Sequence, residues 1–163
     1  MLPESTAREA ASRFLAPDTI GAILGAGIDG IVYSTSRATA VKVHQNSQKY
    51  QKELHAYQRL ASHRVRAVAS LAVPALIAFS SSDLVIEISI VRPPYLLDFA
   101  SCDLDQPADD FTEEVWEQWR RDRREEFGAN WPAALAVARE LERRYGIYYR
   151  DLSPRNLDFT GGS

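Results

Sequence analysis

Three glycines in Gly25-Ala-Gly27-Ile-Asp-Gly30-Ile-Val32 are flanked on both sides by strand-like residues, and this constrains the fold more than any other feature. Ile20 to Leu24 precedes them and Ile31 to Ser34 follows, so the pattern predicts a strand–loop–strand hairpin. A dinucleotide fingerprint with the same glycine spacing must open a helix and place an acid about twenty residues on, and is thereby excluded. Ala38 to Val43 reads as a third strand after the Ser36-Arg37 turn. The hydrophobic period then changes. Tyr50, Leu54, Tyr57 and Ala61 recur at helical spacing, which predicts a helix over about Ser47 to Ser62. Leu76 to Phe79 and Asp83 to Val91 return to strand character. In the second of these, Leu84, Ile86, Ile88 and Ile90 alternate with Val85, Glu87 and Ser89 until Pro93-Pro94 stops the ladder.

The second half is helical. Asp110-Phe-Thr-Glu113 suits a capping box that opens a helix to about Phe127. Another helix spans about Trp131 to Tyr145, with Pro132 in its first turn and Gly146 at its end. A short helix over about Ser5 to Leu15 precedes the strands, and Gly161-Gly162-Ser163 reads as a flexible tail. Strands followed by helices make an α+β chain rather than an alternating βαβ one. The expectation is one antiparallel sheet from residues 20–43 and 76–91, with the 47–62 helix packed beside it.

Composition narrows the classes. The chain has 163 residues, 45% apolar and 25% charged, so it can bury an ordinary core. Its net charge of -3 argues against nucleic acid as a partner. A lone cysteine, Cys102, excludes an internal disulfide and a cysteine zinc site. Met1 to Asp18 lacks the apolar run of a signal peptide, and no apolar stretch is long enough to span a membrane. These features point to a cytoplasmic, intracellular protein with no membrane partner.

Three charged positions stand out. Lys42 lies inside the short apolar strand Ala40-Val-Lys-Val43, where an ammonium needs a partner or points to water from an edge. Glu53 falls roughly 60° around the helix from Tyr50, within the apolar stripe, and is the carboxylate best placed for Lys42. Tyr149-Arg-Asp-Leu-Ser-Pro-Arg-Asn156 matches H-R-D-L-x-x-x-N at all but its first position. Asp151 and Asn156 can aim a carboxylate and an amide oxygen at one point; the plainer reading of this stretch is a capped turn.

Taken in order, the glycine loop, Ala-x-Lys, a helical Glu and R-D-L-x-x-x-N resemble the eukaryotic-type protein kinase superfamily, from Leu24 to about Asn156 with shortened spacings. The resemblance implies one kinase-like domain over 1–163. Residues 1–92 would form a strand-rich N-lobe with an αC-type helix, and residues 93–163 a reduced helical C-lobe. It implies ATP beneath Gly25, Gly27, Gly30 and Val32, and adenine against the segment from Glu87 to Val91. Lys42, paired with Glu53, would meet the phosphates, Asp151 would act as base and Asn156 as a magnesium ligand.

The pattern then departs from the family. A second metal-binding Asp, in D-F-G, belongs one β-hairpin after the catalytic Asn, and Asp158-Phe159-Thr160 follows Asn156 too closely for that. Asp158 is the substitute ligand the sequence offers. The activation loop and later helices of the family are not found, and the phosphoacceptor platform with them. Three explanations compete: a fragment, a degenerate nucleotide or partner binder, and a compact phosphotransferase. The expectation is an ancestral Ser/Thr-type phosphotransferase, weakly active or inactive as this chain, with a pseudokinase or interaction module as the alternative. The face of the 131–145 helix carrying Leu135, Ala138 and Leu141 would be uncovered, which suggests a homodimer, a protein partner, or coverage by the preceding helix.

Overall fold

The computed structural model describes residues 1–107 and 111–161. Asp110 and the end of the tail, Gly162 and Ser163, lie outside them. Helix α1 (Glu4–Leu15) leads into strands β1 (Ile20–Gly27), β2 (Gly30–Thr35) and β3 (Thr39–His44) and helix α2 (Ser47–Ser62). Short strands β4 (Ala67–Val68) and β5 (Leu71–Ala72) precede β6 (Leu76–Ser80) and β7 (Val85–Ser89). Then come β8 (Tyr95–Leu96), β9 (Asp103–Leu104), α3 (Glu113–Phe127), α4 (Trp131–Tyr145), β10 (Ile147–Tyr148) and β11 (Leu157–Asp158).

The chain is α+β. Strands β1, β2, β3, β7 and β6 form one sheet in that order, and every pairing in it is antiparallel. Each face of the sheet has a helix. On one face, Ala7, Ala10, Ala11 and Leu15 of α1 bury against Ile31, Tyr33, Val41, Val43 and Val85. The small alanines let the helix lie close to the sheet, and Arg13 ties it down by an ion pair with Asp83. On the other face, Tyr50, Leu54, Tyr57 and Leu60 of α2 join Ile86, β4, β5, β8, α4, β10 and β11 in a larger core. Asn46 caps α2, its side chain accepting the Lys49 N–H at 2.9 Å.

This two-sided cover changes how β7 reads. The alternation from Leu84 to Ile90 predicts one apolar and one wet face, yet Val85 and Glu87 are both fully buried. Helix α1 covers the face that the alternation assigns to solvent, while Ile90, beyond the end of β7, is half exposed.

The apolar face of α4 does not stand open. Trp131, Ala134, Val137 and Leu141 are buried in the larger core, with Leu135, Ala138 and Trp119 of α3 packed partly against it. The contacts come from α2, the short strands and α3, so the reason for expecting a partner on this face falls away. Helix α3 starts at Glu113, with Thr112 as its cap accepting the Val115 N–H at 3.4 Å. Gly146 ends α4 in a left-handed conformation, φ 64°, as its position predicts.

Candidate functional site

β1 and β2 turn through Ile28-Asp29, and the three glycines of this hairpin have different reasons to be there. Gly30 has φ 153°, and a Cβ on it would stand 2.1 Å from the Val43 carbonyl oxygen. The sheet itself therefore demands a glycine at that position. A Cβ on Gly25 or Gly27 would meet nothing within 4 Å, so the protein's own packing leaves the side of the hairpin at these two positions open.

Beneath the hairpin is a cleft of about 500 Å³. Its walls are the glycine hairpin, Val32 and Ala40 of the sheet, the Ile88–Val91 segment, and the loop holding Asp151, Ser153, Arg155 and Asn156. Lys42, Glu53, Tyr57 and Asp98 line its inner end. Gly25, Gly27, Gly30, Val32, Lys42, Glu53, Asp151 and Asn156 are thus brought to one cavity. Glu87 and Asp158 are not.

Lys42 is held by two carboxylates. Its Nζ lies 2.7 Å from Glu53 Oε2 and 3.4 Å from Asp98 Oδ1. Burial opposes a charge on Lys42, but the charges of Glu53 and Asp98 outweigh it and raise its pKa above the ordinary lysine value. Burial likewise opposes a charge on Glu53. Lys42 beside it and a hydrogen bond from His44 reverse the sign, bringing the carboxyl down to about 2. Asp98 behaves differently: burial, with Glu53's charge added, outweighs Lys42 and the Ala100 N–H and raises its carboxyl. A buried carboxylate that remains costly to ionise gains from any further cation brought to it.

The loop after β10 is held in shape by its own groups. Asn156 donates from Nδ2 to the Asp151 carbonyl oxygen at 3.1 Å. Arg150 reaches Asp103 at 2.8 Å rather than Asp151, and Lys52 of α2 meets the same Asp103 at 2.9 Å. Asp103 therefore joins the Asp151 loop to the helix that carries Glu53. Tyr149 is buried, and its hydroxyl donates to the Leu97 carbonyl. Its ring and that of Tyr57 both pack edge-on to Phe99, at 5.5 and 5.1 Å between centroids.

Two sequence expectations need correction. Glu87 faces away from the cleft, on the α1 side of the sheet, where it accepts from Arg37 Nη2 and Thr39 Oγ1 at 2.6 Å each. The ladder opposite Val41 fixes that side. Residues Ile88 to Val91 line the cleft without it. Asp158 folds back on its own turn, its Oδ1 accepting from the Thr160 N–H at 2.7 Å and the Thr160 hydroxyl at 2.5 Å. These bonds lower its pKa, and Asp158 does not line the cleft that Asn156 lines. Among the described residues no cluster of three or more His, Cys, Asp or Glu could hold a metal ion.

Asp98 is the site residue that periodicity misses. It lies in Tyr95-Leu-Leu-Asp-Phe-Ala100, where no regular period runs. An acid inside an apolar stretch is nevertheless the signal that singles out Lys42 and Glu53, and it would have found Asp98.

No family model matches the chain, and no curated protein matches it. Among solved structures, the streptomycin-ATP-APH(2")-IIa ternary complex is similar over 88% of this chain and 41% of that one, at 13% identity and a TM-score of 0.45. The chain thus spans less than half the length of that protein. No helix among the described residues is long and apolar enough to cross a membrane.

Proposed function

We propose that the cleft binds ATP and that the chain is a kinase-like phosphotransferase. The observation that carries this reading is Lys42, nearly buried, held between Glu53 and Asp98 at the inner end of a cleft roofed by a glycine hairpin. An ammonium fixed there is a ready partner for phosphate oxygens. The open sides of Gly25 and Gly27 give phosphates close access to backbone N–H groups. Ile88 to Val91 offer an apolar wall for the base. Asp151 faces the same cavity and would take the proton from an acceptor hydroxyl, of the Ser/Thr kind in the resembled family.

Two residues lining the cleft carry hard oxygen donors of the kind that magnesium prefers. Asp98 offers a carboxylate with an incompletely compensated charge. Asn156 directs its amide N–H₂ to the Asp151 carbonyl, leaving Oδ1 as its group for a cation. Asp98-Phe99 is also a D-F pair, placed ahead of the R-D-L-x-x-x-N loop instead of after it. Asp98 therefore replaces Asp158 as the second metal-side acid in this reading. When bound, magnesium would supply neutralisation of the phosphate charge. The parts of this chain do the rest: Lys42 binds, the hairpin orients, and Asp151 accepts a proton.

A second reading is nucleotide binding without turnover. It is favoured by the ties already on Asp98, whose Oδ1 meets Lys42 Nζ at 3.4 Å and accepts the Ala100 N–H at 3.1 Å. ATP turnover separates the two. Magnesium-dependent turnover that vanishes in Asp151→Asn supports the phosphotransferase. Saturable binding with no turnover supports the second reading, and no binding at all defeats both.

A further inference from the structure

Lys42 and His44 stand two residues apart on β3 and so project to the same face of the sheet. Both reach Glu53, and they reach the same oxygen: Lys42 Nζ at 2.7 Å and His44 Nε2 at 2.6 Å from Oε2. The imidazole is fully buried behind the pair and does not line the cleft. Its far side is fixed as well. Nδ1 lies 3.1 Å from the Leu84 carbonyl oxygen, which also accepts the His44 backbone N–H at 2.9 Å. Leu84 adopts φ 54° in the turn before β7. The Tyr50 ring packs edge-on to the imidazole at 5.5 Å.

We infer that His44 is a positioning residue for the phosphate cation: it pins the Glu53 carboxylate, and through it the Lys42 ammonium. The inference rests on the nucleotide reading of the cleft. A lysine stem with four rotatable bonds cannot by itself fix where a carboxylate sits, whereas a short rigid ring bonded at both ends can. Each ring nitrogen faces an acceptor, the Leu84 carbonyl or the Glu53 carboxylate. Glu53 Oε2 is thus shared between the ring and Lys42, and more of the Lys42 charge is left for phosphate than if the carboxylate met Lys42 alone. The charged and titratable groups facing the ring are Glu53 and Tyr50 from α2 and Lys42 from its own strand; β7's side presents the Leu84 carbonyl and β2 the Gly30 backbone.

The test is ATP affinity for wild type, His44→Gln and His44→Leu, each shown to be folded by its melting transition. Glutamine keeps a donor for Glu53, and leucine keeps none. Wild type is expected to bind at least about fivefold tighter than His44→Leu, with His44→Gln restoring part of the difference. Equal affinity of wild type and His44→Leu overturns the proposal, and so does a His44→Gln no tighter than His44→Leu. A second readout needs neither nucleotide nor variant: ring ¹⁵N–¹H spectra of the free protein should show a slowly exchanging Nε2–H on His44, and its absence overturns the proposal too. If that proton is present and wild type binds no ATP, the nucleotide reading fails while the positioning of Glu53 and Lys42 by His44 is retained.

Discussion

Lys42 and Asp98, 56 residues apart in the chain, face each other at 3.4 Å at the inner end of the cleft. The cation that would meet phosphate and the acid that would meet a metal are thus already neighbours. Asp98→Asn should weaken the magnesium-dependent part of ATP binding about tenfold or more, because one charged oxygen is lost from the donor set. Asp158→Asn should leave it unchanged, since that carboxylate is bonded to Thr160. Titrations with and without magnesium on both variants check this. Equal effects of the two would mean that Asp98 is not a ligand.

The glycines separate fold from binding. Gly30→Ala places a Cβ against the Val43 carbonyl and should lower the melting temperature sharply or prevent folding. Gly25→Ala and Gly27→Ala meet no protein atom, so they should melt near wild type. Their ATP affinity should fall, because the Cβ stands where phosphate would approach. Thermal melts paired with binding measurements read both effects.

Glu53 makes stability depend on acid pH. Its carboxyl is depressed to about 2 in the fold. A depressed acid contributes stability that is fully present above the unfolded value and is lost as pH falls towards the folded one. Between about pH 4.5 and 2, wild type should lose on the order of 3 kcal/mol more than Glu53→Gln does. Urea denaturation at several pH values gives that difference. Parallel curves would mean that Lys42 and His44 do not hold the carboxylate charged.

Leu141 tests the core under α4. It is fully buried, so Leu141→Ala should cost about 3 kcal/mol through lost packing and the cavity left behind. It does not line the cleft, and ATP affinity at a temperature where the variant is folded should not change. Denaturant midpoints and a binding isotherm decide.

Much of this arrangement is legible in the sequence, for identifiable reasons. Strand alternation and glycine punctuation locate the hairpin, and the change of period locates α2. Glu53 stands out because a charge in an apolar stripe needs a partner, and Lys42 because an ammonium in an apolar strand needs one too. What escapes is what depends on packing between distant segments. Glu87 alternates onto the face opposite Ile86 and Ile88, which the pattern leaves to solvent, but α1 docks over that face and Arg37 and Thr39 take the carboxylate there. Nothing in Ala7, Ala10 and Ala11 states which surface their helix will cover. Asp98 lies in an aperiodic stretch whose place beside Lys42 is set by β8 pairing with β11 and β5. His44 reads as a lone histidine at a strand end until Leu84 and Glu53 close on it from two elements.

The central claim is that Lys42 binds nucleotide phosphate within the cleft. Calorimetric titration of the wild type with ATP in magnesium, beside Lys42→Met shown to be folded by its melting transition, tests it most directly. The account predicts saturable binding to wild type, and at least about tenfold weaker binding to the variant because the main positive charge facing phosphate is gone. Equal affinity in the two proteins, or no heat of binding with folded wild type, would contradict it.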